Sequence, residues 1–459
     1  EKKLLLVEAM WTRFLPHIRQ LRKVLAAKTI GDIIYVAADH GQWFAEGISL
    51  SKLTQDFGTP LYVYSKEAIC SAYRAYDSAC IRPDGTRRAR IHYAMKANSN
   101  LAVLDELKQL GAGFDLVSGG ELARALHIGA DPKSLVFAGV GKSSAEIENA
   151  LRVGVKCINV ESIPELQRIN AIAKTMNLRA PISLRVNPDV DANTHPYIST
   201  GLKDNKFGIA YYEVLKTYRE AALLPQIDVI GIDCHIGSQI TSASPYLDAL
   251  DKVLDLITQL QREGIKIHHL DLGGGLGIDY GGESPPNITE FTNTLLNRVE
   301  ERGFGHLEVL LEPGRSLVGN AGILLTQVEY LKTGVDKNFC IVNAAMNDLM
   351  RPALYEAYHA IIPIHVSQAK PNCYDVVGPV CESGDWLGKD RVLAVNEGDI
   401  LAILSAGAYG FVMASNYNTR GRAAEVMVDG NEAYLVRQRE TPESLYENER
   451  TINQASALK

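Results

Sequence analysis

Apolar runs of strand length alternate with amphipathic stretches between residues 89 and 315. The intervening stretches carry apolar residues three or four positions apart, as in Leu101, Leu104 and Leu107, a period typical of a helix with one buried face. Eight such units in roughly 225 residues predict a (β/α)₈ barrel of the α/β class. An open doubly wound sheet is disfavoured, because polar residues follow all eight strands instead of meeting at one crevice. The predicted strands are 90–96, 113–118, 135–140, 156–161, 182–187, 228–235, 267–272 and 308–312.

After Arg315 the strand-like runs come without regular helices. Asp429-Gly430 between the last two runs is a hairpin signal. The pattern predicts a C-terminal antiparallel β domain, to which Leu61–Tyr64 adds a strand. We therefore divide the chain into an N-terminal strand region (42–66), a barrel (67–315) and a β domain (316–459). The runs are 322–332, 339–343, 375–379, 399–404, 424–428 and 433–437.

Residues 1–41 do not fit this plan. They combine an apolar helical stripe with a short strand-like run, and the stretches 8–16 (EAMWTRFLP) and 30–32 (IGD) resemble part of the Gfo/Idh/MocA family of NAD(P)-dependent oxidoreductases. No Gly-x-Gly-x-x-Gly dinucleotide loop precedes them. We interpret 1–41 as a foreign N-terminal extension, and an NAD(P)-linked oxidoreductase is the most remote alternative function.

Composition narrows the class of protein further. The 459 residues are 46% hydrophobic and 22% charged, with a net charge of -7, which argues against nucleic acid or an anionic membrane surface as partner. No apolar run approaches the roughly 20 residues that span a bilayer. The seven cysteines form no C-x-x-C pair, so free thiols, a cytoplasmic location and no metal site are expected.

Several strand ends carry residues with useful chemistry. Lys96 ends the first barrel strand, where a partly desolvated amine is suited to a Schiff base with an aldehyde cofactor. Glycines 273–275 follow the seventh strand and can cradle an anion with backbone N–H groups. Glu312, after the eighth strand, can pair with a pyridinium nitrogen or form an ordinary salt bridge. Arg315 offers a planar fork for a carboxylate.

Other groups are more ambiguous on their own. His235 after the sixth strand can stack on a flat ring or be a core histidine, and Ser238 can donate to phosphate. Asp115, after the second strand, can shape the surroundings of a ring or belong to a polar plug in the barrel mouth. In the β domain the stretches 351–355 (RPALY), 381–385 (CESGD) and 406–410 (AGAYG) mix ionisable or phenolic groups with small residues. Taken singly, each is as consistent with a turn as with a ligand contact.

Taken together, these stretches resemble the diaminopimelate decarboxylases, a family of fold-type III enzymes that depend on pyridoxal 5′-phosphate (PLP). The resemblance runs almost continuously from about Phe44 to about Glu443. It implies a PLP-binding barrel followed by a β domain, a homodimer, and decarboxylation of meso-2,6-diaminopimelate to L-lysine and CO₂. The stretches that carry it include YAMKAN, FDLVSGGEL, GIDCHIGSQ, DLGGGLGI, EPGRS, AAMNDLMRPALY, GPVCESGD and SAGAYGFVMASNYN.

The resemblance also implies residue roles. Lys96 would bind the cofactor covalently, and Cys381 would donate a proton from the partner subunit. The other implied cofactor-binding residues are Asp115, His235, Ser238, Gly273, Gly274, Gly275, Glu312, Pro313, Gly314, Arg315 and Tyr409. The implied substrate-binding residues are Arg315, Arg351, Tyr355, Glu382 (again from the partner subunit) and Tyr409. The alternatives are a sister decarboxylase acting on ornithine, arginine or carboxynorspermidine, and a PLP-free regulator with the same fold.

Overall fold

The structure is a computed structural model that describes residues 42–190 and 205–455. The first elements are β1 (Phe44–Ala45), β2 (Ile48–Ser49), α1 (Leu50–Phe57) and β3 (Leu61–Ser65). Helix α1 begins where the Ser49 hydroxyl accepts a hydrogen bond from the Lys52 N–H, which satisfies one of the backbone donors exposed at a helix start. The resemblance of residues 1–41 to an oxidoreductase segment concerns residues outside the described ranges.

Parallel strands form a closed ring in the first large domain. Each strand pairs with its neighbour in parallel, and the pairings of β4 with β12 and β8 with β10 close the ring. The predicted barrel is therefore confirmed, with strand ends displaced by a few residues. The strands of this region are β4 (Ala89–Ala94), β5 (Gly113–Leu116), β6 (Leu135–Phe137), β7 (Cys157–Val160), β8 (Ala180–Asn187), β9 (Ile209–Ala210), β10 (Ile227–Asp233), β11 (His269–Asp271) and β12 (Glu308–Leu311). The short β9 pairs with the end of β8.

Amphipathic helices surround the ring of strands. The helix at 244–262 buries Leu250, Val253 and Ile257 on one face, as the apolar spacing predicts. The helix at 144–153 begins with a capping box between Ser143 and Glu146. The helices of this region are α2 (Lys66–Ala79), α3 (Leu101–Gln109), α4 (Gly119–His127), α5 (Ser144–Val153), α6 (Ile163–Thr175), α7 (Tyr211–Leu223), α8 (Ser244–Arg262), α9 (Ile288–Glu301) and α10 (Arg315–Val318).

The second domain is built on a separate, mainly antiparallel sheet. Its strands are β13 (Gly322–Thr333), β14 (Asn338–Val342), β15 (Ile361–Pro363), β16 (Asn372–Val377), β17 (Trp386–Leu393), β18 (Ile400–Ile403), β19 (Ala424–Asp429) and β20 (Glu432–Arg437), and its helices are α11 (Arg351–Tyr355) and α12 (Pro442–Tyr446). The main path of the sheet is β17-β16-β14-β13-β3-β19-β20, and β18 pairs with β13 and β15. Two pairings, β14 with β16 and β19 with β3, are parallel. Strands β19 and β20 form the expected hairpin.

Backbone hydrogen bonds join the two domains beside Lys96. The Tyr409 N–H, in the loop after β18, donates to the Ala97 carbonyl over 2.8 Å. The Asn98 side-chain amide donates to the Gly407 carbonyl over 3.1 Å. The turn that follows β4 is therefore held by the β domain as well as by the barrel.

Two further properties bear on the expected class of protein. None of the helices in the described ranges is long and apolar enough to cross a membrane. All seven cysteines are free thiols, and five of them are buried.

Candidate active site

The Lys96 amine lies in a short 3₁₀ turn (Met95–Ala97) directly after β4. Its Nζ is 2.7 Å from Oδ2 of Asp115, a buried residue on β5. Burial alone would lower the pKa of Lys96, but the Asp115 carboxylate, followed by Tyr409 and Glu312, raises it above its usual value. The ammonium form is thus stabilised. Covalent chemistry at this amine requires that a proton leave first.

Lys96 opens onto a cavity of about 320 Å³ at the barrel mouth. Its side chain is 37% exposed, so the amine is accessible from the cavity although protein surrounds it. The volume falls within the usual range for small-molecule sites. Most of the residues that the sequence nominated line this cavity: Lys96, His235, Ser238, Gly275, Glu312, Gly314, Arg315, Arg351, Tyr355 and Tyr409.

The glycine turn after β11 brings backbone unusually close to its neighbours. A side chain at Gly274 would strike the Glu312 carbonyl, and one at Gly275 would strike the Gly237 carbonyl. Gly275 also has φ of +109°, a conformation that favours glycine. Gly275 lines the cavity, whereas a side chain at Gly273 would meet His235. The turn therefore presents backbone, without side-chain obstruction, beside the cavity.

His235 is a half-buried, neutral imidazole in the loop after β10. Its Nδ1 accepts a hydrogen bond from the Gly274 N–H over 3.2 Å. Burial, together with the Arg185 and Lys96 cations, holds its pKa well below the usual value. A neutral ring at the cavity wall can stack on a flat ligand.

Glu312 belongs to a cluster of buried carboxyl groups. Oxygens of Asp233, Asp271 and Glu312 lie within 4.8 Å of one another. Burial, followed by the neighbouring Asp115, Asp271 and Asp233, raises the pKa of Glu312 well above its usual value. Glu312 Oε1 has no hydrogen-bond partner among the described residues. A buried carboxyl oxygen without a partner is costly, so this position is suited to a ligand that supplies an N–H.

Two arginines bring positive charge to the same cavity. Arg315 is the first residue of α10, and Arg351 is the first residue of α11; both are buried. Among the described residues, no carboxylate forms an ion pair with either guanidinium. Arg315 instead donates to the Tyr280 hydroxyl over 2.5 Å and to the Ser238 hydroxyl over 3.1 Å. Buried cations in this state are suited to an anionic ligand.

Not every site residue predicted from the sequence lies at the cavity. Cys381 and Glu382 are exposed and lie outside its lining. The Glu382 carboxylate accepts a hydrogen bond from the Tyr417 hydroxyl over 2.6 Å, and the Cys381 N–H donates to Asn418 Oδ1 over 2.8 Å. The Pro313 carbonyl accepts from the Ala94 N–H and so joins β12 to the end of β4.

The structure adds residues in and next to the cavity that sequence reasoning missed. Among them are Tyr280, Tyr358 and Met413, and His359 lies behind Arg351. Asp233 and Asp271 could have been predicted from the sequence, because both lie at the ends of barrel strands, as the residues that the sequence analysis selected do. No sequence pattern indicated His359, because a single histidine between strands has no informative spacing.

These features fit PLP. The unobstructed glycine turn and Ser238 can hold a phosphate, Lys96 can bind an aldehyde, and the unpartnered Glu312 oxygen can accept from a pyridinium N–H. The neutral His235 supplies a flat face to a ring. The donor set therefore matches the phosphate, the aldehyde and the nitrogen of one cofactor.

Comparisons with known proteins agree with this chemistry. The family described as "Pyridoxal-dependent decarboxylase, pyridoxal binding domain" matches residues 67–319. The diaminopimelate decarboxylase of Vibrio cholerae is 55% identical over 408 residues, which is 89% of this chain and 96% of the relative. The enzyme of that name from Pseudomonas aeruginosa is 55% identical over 411 residues, covering 90% of this chain and 97% of the relative.

Solved structures of proteins named diaminopimelate decarboxylase are also similar to this chain. Diaminopimelate decarboxylase from Helicobacter pylori, complexed with L-lysine, has a TM-score of 0.82 and 42% identity, covering 87% of this chain and 98% of that chain. The enzyme from M. jannaschii in co-complex with L-lysine has a TM-score of 0.87 and 40% identity, covering 92% and 99%. The resemblance of residues 1–41 to the Gfo/Idh/MocA oxidoreductases is not borne out. By its matched family, its relatives and the donor set of its cavity, the chain belongs to the pyridoxal-dependent decarboxylases.

Proposed function

We propose that this protein decarboxylates meso-2,6-diaminopimelate to L-lysine and CO₂, the last step of lysine biosynthesis. The observation that carries the proposal is one cavity that holds both the Lys96 amine and two buried arginines, which have no acidic partner in the part of the chain that the structure describes. The amine and the acid cluster serve the cofactor, and the arginines serve a substrate carboxylate that is not lost. The names of the relatives support the same substrate.

PLP, when bound, supplies the electron sink for the carbanion that loss of CO₂ leaves. The residues of the chain do the rest. Lys96 would bind the aldehyde carbon, Glu312 would hold a proton at the pyridine nitrogen, and His235 would offer its flat face to the ring. We assign the phosphate to Ser238, Tyr409 and the turn formed by Gly273, Gly274 and Gly275, with Asp115, Pro313 and Gly314 framing the site.

Substrate orientation is the second task of these residues. Decarboxylation needs one fixed orientation of the bond that breaks, so the far end of the substrate has to be held in place. Arg315, Arg351, Tyr355 and Tyr409 line the same cavity as Lys96. We assign them to the carboxylate that is retained in L-lysine, and Glu382 of the partner subunit to the adjacent amine.

The direct test is CO₂ release from meso-diaminopimelate by the purified protein, with and without added PLP. We expect stoichiometric L-lysine and CO₂ that require PLP. A panel with L-lysine, L-ornithine, L-arginine and carboxynorspermidine as alternative substrates separates the sister decarboxylases. A preference of at least ~10³-fold for diaminopimelate is expected, because a buried charged group left unpaired costs several kcal/mol. Faster release from any other amino acid would refute the assignment.

We further propose a homodimer with shared active sites. Cys381 and Glu382 are exposed within one chain and do not line its cavity, yet the family resemblance implies that Cys381 donates a proton and that Glu382 binds the substrate. A second copy that presents Cys381 and Glu382 to the cavity reconciles the exposure of these residues with their implied roles.

The free thiols support a reducing cytoplasmic location. Residues 67–315 then form the cofactor-binding domain, and residues 42–66 and 316–459 the β domain.

Subunit exchange tests the shared site. Cys381→Ala and Lys96→Ala are each expected to be inactive alone. After 1:1 mixing with exchange, random pairing gives heterodimers with one intact site, so about a quarter of wild-type activity is expected. Mixing Lys96→Ala with Glu312→Ala, two residues of the same cavity, is the matched control and should recover none. Equal recovery in both mixtures, or none in either once exchange is verified, would count against the shared site.

A further inference from the structure

Arg315 and Arg351 are held by neutral groups, although carboxylates are the usual partners of buried arginines. The acceptor for Arg315 Nη1 is the Tyr280 hydroxyl, at 2.5 Å. The neighbour of Arg351 Nη1 is His359 Nε2, at 2.9 Å. Both Tyr280 and His359 are buried, at 4% and 0% exposure, so these contacts are shielded from water.

Tyr280 contacts both arginines at once. Its hydroxyl accepts from Arg315, and its ring lies 4.5 Å from the Arg351 guanidinium carbon. The His359 ring packs edge-on against it at 5.1 Å. Since an aromatic face attracts a cation without neutralising it, Tyr280 holds two like charges close together beside the cavity.

The hydrogen bonds of His359 fix its tautomer. Nδ1 is 2.8 Å from the Leu404 carbonyl, which can only accept, so Nδ1 carries the hydrogen. Nε2 is then the acceptor that faces Arg351, which can only donate. Burial, followed by the Arg351 cation, lowers the pKa of His359 to about 3. The imidazole is therefore neutral at physiological pH and ties Arg351 to the backbone after β18.

We propose that Tyr280 and His359 are positioning residues that set specificity for a substrate with a second, retained carboxylate. They aim the two arginines into the cavity. As neutral acceptors, they leave the full positive charge to the ligand. An aspartate or glutamate in either place would orient an arginine equally well but would compete with the substrate carboxylate. This inference rests on the proposed function and explains how its selectivity arises.

The chain offers a matched pair of substitutions at His359. In His359→Gln the side-chain oxygen occupies the place of Nε2 and still accepts from Arg351. In His359→Asn the amide N–H occupies the place of Nδ1 and still donates to Leu404, but the acceptor for Arg351 is lost. Tyr280→Phe removes the acceptor for Arg315 Nη1 and retains the ring beneath Arg351.

The ligands are also matched, since L-lysine and cadaverine differ only by the carboxylate. With the PLP-loaded enzyme, we expect His359→Asn and Tyr280→Phe each to weaken L-lysine binding, measured by calorimetry, about 10- to 100-fold, because each loses a hydrogen bond to a charged group. The KM for meso-diaminopimelate should rise by a similar factor. Cadaverine binding and PLP affinity should stay within about twofold, and His359→Gln should restore most of the L-lysine affinity.

Equal weakening of L-lysine and cadaverine, or loss of PLP affinity, would overturn the inference, because either would indicate general disruption. Unchanged L-lysine affinity in both variants would also overturn it. Tyr280→Phe gives an independent reading if His359→Asn does not fold. Failure of the proposed function is distinguishable, since a wild-type enzyme that releases no CO₂ from meso-diaminopimelate refutes the reaction before any variant is compared.

Discussion

Replacing Lys96 by alanine is expected to abolish decarboxylation and the visible absorbance of the bound cofactor. The amine is the nucleophilic group at the cavity wall, 2.7 Å from the Asp115 carboxylate. Removing a group that forms a covalent bond, in a site whose residues act as a unit, lowers turnover by on the order of 10⁴–10⁶. CO₂ release and an absorbance spectrum, measured on the same preparation with added PLP, report the two losses.

Lys96→Arg separates the covalent reactivity of Lys96 from its positive charge. The guanidinium retains the positive charge beside Asp115 but cannot condense with an aldehyde at neutral pH. This variant should therefore keep the thermal stability of the wild type and be as inactive as Lys96→Ala. An unchanged spectrum, or substantial activity in either variant, would contradict the assignment of this lysine.

Glu312→Gln is expected to lower kcat by about 10²–10³-fold, the usual cost of removing one well-placed electrostatic group. The glutamine has the same shape but cannot become the carboxylate that would pair with a pyridinium and keep its nitrogen protonated. The covalent bond at Lys96 does not depend on this charge, so the cofactor should remain bound. Steady-state kinetics together with the absorbance spectrum separate the loss of turnover from a loss of cofactor.

A neighbouring acid, Asp233, provides the control for the effect of Glu312→Gln on kcat. Asp233 lies in the same cluster but also faces Arg185, 3.9 Å away, and is absent from the cavity lining. Asp233→Asn should therefore reduce kcat far less than Glu312→Gln. If the two variants lose the same amount, or if Glu312→Gln stays within threefold of the wild type, Glu312 has no special role at the nitrogen.

The barrel and the centre of the site could be predicted from sequence because both depend on local patterns. Period and length identified the strands, and the rule that barrel chemistry lies at strand ends selected Lys96, His235 and Glu312. Strand β17 was missed since Gly388, Lys389 and Asp390 interrupt its apolar pattern. The parallel pairings of the β domain were also missed, because strand order depends on contacts between distant segments.

The residues that position others were the least visible in the sequence. Tyr280 and His359 act through hydrogen bonds to arginines that are 35 and 8 residues away in the chain, and no periodicity encodes such contacts. The placement of Cys381 and Glu382 outside the cavity was likewise implied only by resemblance, since their expected site involves a second copy of the chain.

The contact between Tyr409 and Ala97 has a consequence for building chimaeras of this enzyme. Three of the residues that we propose to bind the substrate (Arg351, Tyr355 and Tyr409) belong to the β domain, whereas the Lys96 amine belongs to the barrel. Because the two halves meet through main-chain atoms at this point, a β domain transplanted from a homologue can carry different side chains and still dock. What the graft has to preserve is the backbone path of residues 407–409, and a shift there would displace the turn that bears Lys96.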